Sequence, residues 1–390
     1  MKYTSTRDSS VLVSFEEALC SGYAPDGGLF VPATLPKVDA ETLEAWGKLS
    51  FPELSYELLR LFISHDEVDD NSLRNICCSA LNGFDNPNNA VPIKRIGSLY
   101  IAELSHGPTY CFKDLGMRCV IYLLSHFATK QSRRIALLVA TTGDTGPAAL
   151  QAVSDAGNPL LTLVVHYPDG QISNFQRKQL TTVQSPCVKV VAFEGGGDDM
   201  DLPIKNIVAQ STSTKTHTST LYTGVNSYNI GRPLMQMVHY VWTYLRVTEH
   251  EGRKPGVPNE TVDVVLPTGA MGNLVAGYMC ACMGIPLGNF AAGVNVNDIT
   301  HRLIQEGAFH RATKMYKTLS EAISKSTEFH VERKISVNSE LNLIHSILSS
   351  INAWQIFRSP TTQSDYFTIL LMETRSLSEN GTNRWNKRKN

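Results

Sequence analysis

An α/β fold built from parallel sheets covered by helices is what this chain of 390 residues predicts. Apolar runs of strand length alternate with segments of helical length, and several of the strands end in a glycine-bearing turn that leads directly into a helix. The composition, 42% apolar and 18% charged, is that of an ordinary packed protein. At this length about two or three average domains fit, and a sizeable core forms easily.

The first stretch, residues 1–90, reads as a small helical entry region. Ser14-Phe15-Glu16-Glu17 fits a capping box with Gly22 as the stop, and Ser50-Phe51-Pro52-Glu53 fits another, opening an amphipathic helix through Leu58, Leu59 and Phe62. Residues 82–89 are dense in turn formers and separate this region from the next. Residues 91–307 carry the α/β pattern. Strands are expected at 134–140, 160–166, 187–193, 261–266 and 290–294. Helices are expected at 147–156, 174–182, 199–210, 232–247 and 274–283. Ligands of such sheets bind beyond the carboxyl ends of the strands, where the glycine turns lie.

Residues 308–390 break the rhythm and read as a divergent tail. Of the 27 glycines and 18 prolines, only Gly381 and Pro360 lie beyond Gly307. The tail offers one amphipathic helix candidate (Leu341, Ile344, Leu348, Ile351), a strand-like run at 366–372 and a basic end from Arg384. The second part of the fold is therefore expected to be incomplete, with sheet surface left uncovered.

Charge and cysteines exclude some functions. A net charge of −1 gives no field for gathering nucleic acid or an anionic membrane, so neither partner is expected. The first residues lack the apolar core of a signal peptide and no run is long enough to span a bilayer, which points to the cytoplasm. The eight cysteines form no CxxC pair. Cys77, Cys78, Cys280 and Cys282 read as helix packing positions, with reduced thiols and no metal expected.

Three segments carry chemistry. Lys113 lies between Phe112 and Asp114, where burial would lower its pKa and leave more free amine for imine formation and proton transfer. A lone Lys-Asp pair by itself more often marks a solvated loop. Thr141-Thr142-Gly143-Asp144-Thr145-Gly146 joins an apolar strand to a helix, where free N–H groups and hydroxyls suit a carboxylate or phosphate. A plain capped helix start, with Asp144 or Thr145 as N-cap, explains the spacing equally well. Gly269-Ala270-Met271-Gly272-Asn273 is a glycine cradle between another strand and helix, with Asn273 as an extra donor. Asn226, Ser227 and Arg232 form a polar cluster able to hold a second anion, although a solvated loop is the blander reading. His106 is as readily a turn residue as a catalytic one. The acidic run Glu194, Asp198, Asp199 and Asp201 most simply complements a helix dipole. An imine-forming lysine with a separate phosphate cradle is the set that pyridoxal phosphate requires.

These segments together resemble the threonine synthase family. The likeness rests on residues 22–32, 106–116, 141–146, 194–199 and 269–273, and on 295–299 with Arg302, in that order over about residues 1–307. The resemblance implies fold type II of the pyridoxal phosphate enzymes, a tryptophan-synthase-β-like pair of α/β domains. It implies that Lys113 carries the cofactor covalently and that Gly269, Ala270, Met271, Gly272 and Asn273 cradle its phosphate. Asp144 would lie near the pyridine 3′-hydroxyl, and the turn of Thr141, Thr142, Gly143 and Thr145 would receive the substrate carboxylate. After about Phe309 nothing resembles the family, so the chain reads as a product with a replaced C-terminus, of the kind alternative splicing makes. The expected activity is elimination of phosphate from a small phosphorylated amino acid, O-phosphothreonine or O-phosphohomoserine. A threonine synthase is the first alternative, and a catalytically impaired product with a non-enzymatic role is the second.

Overall fold

The computed structural model describes residues 1–196, 199–213, 220–257, 259–268, 271–294, 297, 301, 355–358 and 369–376. The entry region comprises β1 (Tyr3–Ser5), α1 (Phe15–Ser21), β2 (Phe30–Pro32), α2 (Ala40–Trp46), α3 (Phe51–Arg60) and α4 (Asp70–Leu81). Its helix starts follow from side chains that satisfy orphan N–H groups. The Ser14 hydroxyl accepts from the Glu17 N–H, and the Glu53 carboxylate accepts from both the N–H and the hydroxyl of Ser50. Gly22 stops α1 as expected. Asp39 and Asp69 cap α2, which the sequence reading passed over, and α4, of which it noted only the helical positions of Cys77 and Cys78.

The hairpin β3 (Ile93–Ile96) and β4 (Leu99–Glu103) leads into α5 (Lys113–Lys130). Then strand and helix alternate: β5 (Arg134–Ala140), α6 (Thr145–Ala156), β6 (Leu161–Pro168), α7 (Asn174–Thr181), β7 (Val188–Phe193), α8 (Asp201–Ser213), β8 (Thr220–Gly224), α9 (Gly231–His250), β9 (Glu260–Pro267), α10 (Gly272–Met283) and β10 (Leu287–Val294). Two further strands, β11 (Gln355–Arg358) and β12 (Ile369–Ser376), come from the C-terminal stretch. The strands expected from residue 134 to residue 294 all occur within a few residues of their predicted ends. β8 was not anticipated.

The smaller sheet, in the order β7-β6-β5-β8, is parallel throughout, as apolar strands separated by helices require. The larger sheet, in the order β11-β10-β9-β12-β4-β3, is mixed instead. β10 runs parallel to β9 and β11, whereas β12 runs antiparallel to both β9 and β4. The sequence sets residues 308–390 apart as a tail, yet β12 stands between β9 and β4 and holds them in one sheet. A line at residue 307 is therefore not the edge of that sheet. The helix candidate around Leu341 lies outside the described residues.

At the centre is α9, buried along almost its whole length and packed against α3, α5 and α10. Arg118 of α5 ties two neighbours to this centre. It is 2% exposed, and its guanidinium donates to Ala80 O (2.6 Å) and Asn82 O (2.7 Å) at the end of α4 and to the Asp155 carboxylate of α6 (2.5 Å). Those carbonyls belong to the unsatisfied last turn of a helix, so the arginine acts as its C-terminal donor. Arg118→Met keeps the apolar stem but leaves these acceptors without a donor. It should cost about 2–3 kcal/mol, read as a lower urea midpoint at unchanged m-value; an unchanged midpoint would refute this role.

Candidate active site

Lys113 is the first residue of α5 rather than part of a loop. The helix starts there because Asp114 folds the preceding segment back on it. The buried Asp114 carboxylate accepts from the Thr109 N–H and the Thr109 hydroxyl, each at 2.8 Å. Gln179 of α7 donates to Thr109 O at 3.2 Å and holds the same segment from the other side. Burial pushes the Asp114 pKa up to about 6, against the lowering effect of the Thr109 bonds and Arg118. His106 is an anchor of this segment: its ring bridges Asp85 (2.8 Å) and Glu103 (3.0 Å). Desolvation pulls its pKa down, but the two carboxylates outweigh this and the net shift is upward.

The Lys113 ammonium meets Asp144 at 3.0 Å, with the two side chains 12% and 15% exposed. Burial alone would lower the lysine pKa, as the sequence reading assumes. The Asp144 charge, with Cys111 adding to it, outweighs that penalty and the net shift is upward. Asp144 moves the opposite way. Burial raises its pKa, but Lys113 and the Gln176 amide (2.9 Å) more than reverse this and hold it below the usual carboxylate range. Cys111 sits beside the pair, and burial pushes its thiol well up.

Asp144 occupies the N-cap position of α6, but its carboxylate is committed to Lys113 and Gln176 and does not cap the helix. The turn is held instead by Thr141, whose hydroxyl accepts from the N–H groups of Gly143 (3.1 Å) and Gly146 (3.0 Å). Gly143 has φ +149°, and a Cβ there would fall 2.1 Å from the Gln176 amide, so only glycine fits. Thr142 and Thr145 are half-buried beside it.

The second anion cluster divides in the structure. The Asn226 amide pairs with both the N–H and the C=O of Ala140, at 3.2 and 2.6 Å, and so continues the sheet beyond β8. Arg232, at the start of α9, is 3% exposed and donates from Nη1 to Val225 O at 3.0 Å; its Nε has no partner among the described residues. Burial lowers its pKa to about 10. The solvated-loop reading does not hold for this arginine. Ser227 faces the start of α10: a Cβ on Gly272 would lie 3.3 Å from its Cβ and 3.8 Å from Gln236 Oε1.

The first turns of α9 thus join the two halves of the site. A Cβ at Gly116, one turn beyond Lys113, would lie 3.4 Å from both Arg232 O and Gln236 Cγ, while Gln236 also faces Gly272. Met271 initiates α10 in the left-handed region at φ 54°. Gly269 and Ala270 lie outside the described residues. The sequence reading missed Gln176, although Ser173-Asn174-Phe175-Gln176 carries a capping box that the structure contains. It also missed Gln236 and His239, for which a polar residue on an otherwise apolar helix was the available signal.

Asp114 yields a pH test. Its folded pKa of about 6 lies above the ordinary 3.8, so the folded state binds more protons between these values. The stability it contributes is full below the ordinary value and is lost as pH rises through about 6. Asp114→Asn removes the titration, so the Tm of the variant relative to the native chain should rise between pH 4 and pH 6.5. A flat or falling difference would refute the shift.

Known proteins share both the sequence and the architecture. The family described as "Threonine synthase N terminus" matches residues 2–81. Threonine synthase-like 2 of Mus musculus is 39% identical over 333 residues, which are 85% of this chain and 67% of the mouse protein. Threonine synthase of Saccharomyces cerevisiae is 34% identical over 345 residues, covering 85% of this chain and 65% of the yeast protein. The chain thus spans about two thirds of the length of these relatives. Among solved structures, threonine synthase from Escherichia coli aligns with a TM-score of 0.76 at 27% identity, over 92% of this chain and 78% of that one. PLP-bound threonine synthase from Brucella melitensis aligns at 0.75 and 26%, with the same coverage. The architecture is that of the fold type II pyridoxal phosphate enzymes, and the chain belongs to the threonine synthase family.

Proposed function

We propose that this chain binds pyridoxal 5′-phosphate and eliminates phosphate from an O-phospho amino acid. The observation that carries the reading is the seating of the first turn of α5, which Lys113 opens, and of the α10 start on the same two turns of α9, with Asp144 beside the lysine. The residues present fit the cofactor. Arg232 Nε and Asn273 Nδ2 are buried donors without partners among the described residues, and the start of α10 adds backbone N–H groups and the positive end of its dipole. Gly269, Ala270, Met271, Gly272 and Asn273 would hold the phosphate, and Lys113 would hold the aldehyde carbon. When bound, the cofactor supplies a sink for the electron pair left at the substrate Cα.

The chain's own groups then have defined tasks. Lys113 Nζ would take the Cα proton, and Asp144 would stabilise the ammonium that results. Gln176 and Thr141 keep Asp144 and its turn in place. Thr142, Gly143 and Thr145, at the start of α6, are where the substrate carboxylate would bind, and Ser227 with Arg232 is the candidate site for a second anion. The net reaction adds one water to O-phosphothreonine or O-phosphohomoserine and yields 2-oxobutyrate, ammonia and phosphate. Because relatives at 34% identity or more bear the name threonine synthase or threonine synthase-like 2, the second reading is addition of that water at Cβ, which releases threonine and phosphate instead. Product analysis with each phospho amino acid separates the two.

Borohydride reduction in the presence of pyridoxal phosphate should attach the cofactor to Lys113, as read by peptide mapping, and Lys113→Ala should abolish elimination. Labelling of another lysine while Lys113 stays unmodified would refute the assignment. Gly272→Val places branched carbon against Ser227 and obstructs the approach of an anion to the α10 start. It should weaken pyridoxal phosphate binding by about tenfold or more, measured by equilibrium dialysis. A fall in substrate affinity alone would mean that the turn holds the substrate phosphate instead.

A further inference from the structure

We infer that His106 is a positioning residue for Lys113 and does this work only as an imidazolium, which clamps the segment leading into α5 between the ends of α4 and β4. The inference rests on the reading of Lys113 as the lysine that holds the cofactor. The His106 side chain is 28% exposed, with Nδ1 2.8 Å from Asp85 Oδ2 and Nε2 3.0 Å from Glu103 Oε2. Asp85 follows α4, and its N–H donates to His106 O at 3.1 Å. Glu103 ends β4, pairs with Ile369 of β12 and also takes Lys94 of β3 at 2.6 Å. On α5, Asp114 lies against Gly107 and Arg118 against Gly83. The ring thus sits where the chain leaves the larger sheet for the helix that Lys113 opens.

Proton counting decides the state of the ring. A carboxylate oxygen only accepts, so each of the two contacts requires a proton between the atoms it joins. A neutral imidazole carries one such proton, whichever nitrogen holds it. Exchange of tautomers moves the unmet acceptor from one contact to the other and never supplies both. The bridge is complete only with a second proton, and the charge this brings meets two carboxylates at once. The pKa moves accordingly: desolvation pulls it down, but Asp85 and Glu103 outweigh this and it rises above the ordinary 6.5. What the clamp contributes is therefore full below 6.5 and is lost as pH rises through the raised value. From His106 the ties run on to Lys113. Tyr110 N–H donates to Gly107 O (3.0 Å), Thr109 binds Asp114 through its N–H and hydroxyl, and Asp114 N–H donates to Cys111 O (3.0 Å). Within this run Tyr110 has φ 57°, a left-handed conformation that a bulky residue keeps only where its surroundings enforce it. Slack at His106 is thus passed to the first turn of α5.

A histidine that braced the segment in its neutral form would give cofactor binding no pH dependence of its own. Glu103→Gln isolates this property. Its amide oxygen still accepts from Lys94 and its NH2 donates to a bare Nε2, so the neutral ring keeps both contacts. The measurement is the dissociation constant of pyridoxal phosphate for the full chain, followed in absorbance at pH 6.5 and pH 9 in both proteins. Protons on Lys113, Asp144 and the cofactor titrate alike in the two and cancel in the ratio. The native constant relative to that of Glu103→Gln should rise about two- to fivefold between these pH values, the worth of one partly exposed ion pair. His106→Ala, which removes the clamp, should bind more weakly than Glu103→Gln by a similar factor at both. A native ratio that stays constant would overturn the inference, as would His106→Ala binding as tightly as Glu103→Gln. If Glu103→Gln does not fold, Asp85→Asn offers the same donor to Nδ1 and is read in the same way. A native chain that binds the cofactor elsewhere than on Lys113, by borohydride reduction and peptide mapping, would overturn the reading of that lysine, and this inference with it.

Discussion

A helix buried on nearly every side must find a partner for each polar group it carries, and α9 is under that constraint. Arg232, Gln236, His239, Thr243 and Thr248 are all buried along it. The two threonines return their hydroxyls to backbone carbonyls of their own helix, at His239 and Leu245. Such back-bonding satisfies the group without involving any other element. The first half behaves differently. Arg232 and His239 reach outward, to Val225 O and to Asn273, while Arg232 Nε and Gln236 Oε1 stay without partners among the described residues. Unpartnered buried polar atoms cost stability. Further along the helix His239 Nδ1, Tyr240 Oη and Arg246 Nε are likewise without partners among the described residues, so α9 carries unmet polar groups beyond its first turns.

Two neighbouring carboxylates show how environment divides labour. Asp114 and Asp144 flank the same lysine, yet their pKa values move apart. Asp144 gains an ammonium at 3.0 Å and an amide donor; for Asp114 the cost of burial exceeds what the Thr109 hydrogen bonds and the charge of Arg118 return. The first is held as a counter-charge, and the second is a structural link between the loop and α5. Separation of titrating groups by local partners is a common device of active sites.

Much of this was legible in the sequence, and the failures have physical reasons. The strands β5, β6, β9 and β10 are dense in apolar residues, a pattern that their burial in covered sheets produces. The start of α5 was not legible. Phe112 stands at the N-cap with helical dihedrals and no capping side chain, and residues 114–121 are buried on every face, so neither a cap nor an amphipathic stripe marks the helix. Asn226 read as a ligand-binding amide because nothing local reveals that its partner is the backbone of Ala140, 86 positions away in sequence. The direction of the Lys113 pKa shift was not legible either, because it depends on Asp144, which only the fold brings within reach. The run at 366–372 reads as strand-like and β12 begins within it, but nothing local shows that it inserts antiparallel between β9 and β4, so the mixed larger sheet was missed.

That strand makes the larger sheet late. Met372 pairs with Tyr100 on one side and Val264 on the other, so β4 and β9 meet a common neighbour only once residues 369–376 have been made. During synthesis both strands wait with unpaired edges, and pairing over such separations is slow. An exposed edge invites a strand from another molecule. The last segment of the sheet therefore acts, for a growing or shortened polypeptide, as the difference between a closed surface and two open templates for association.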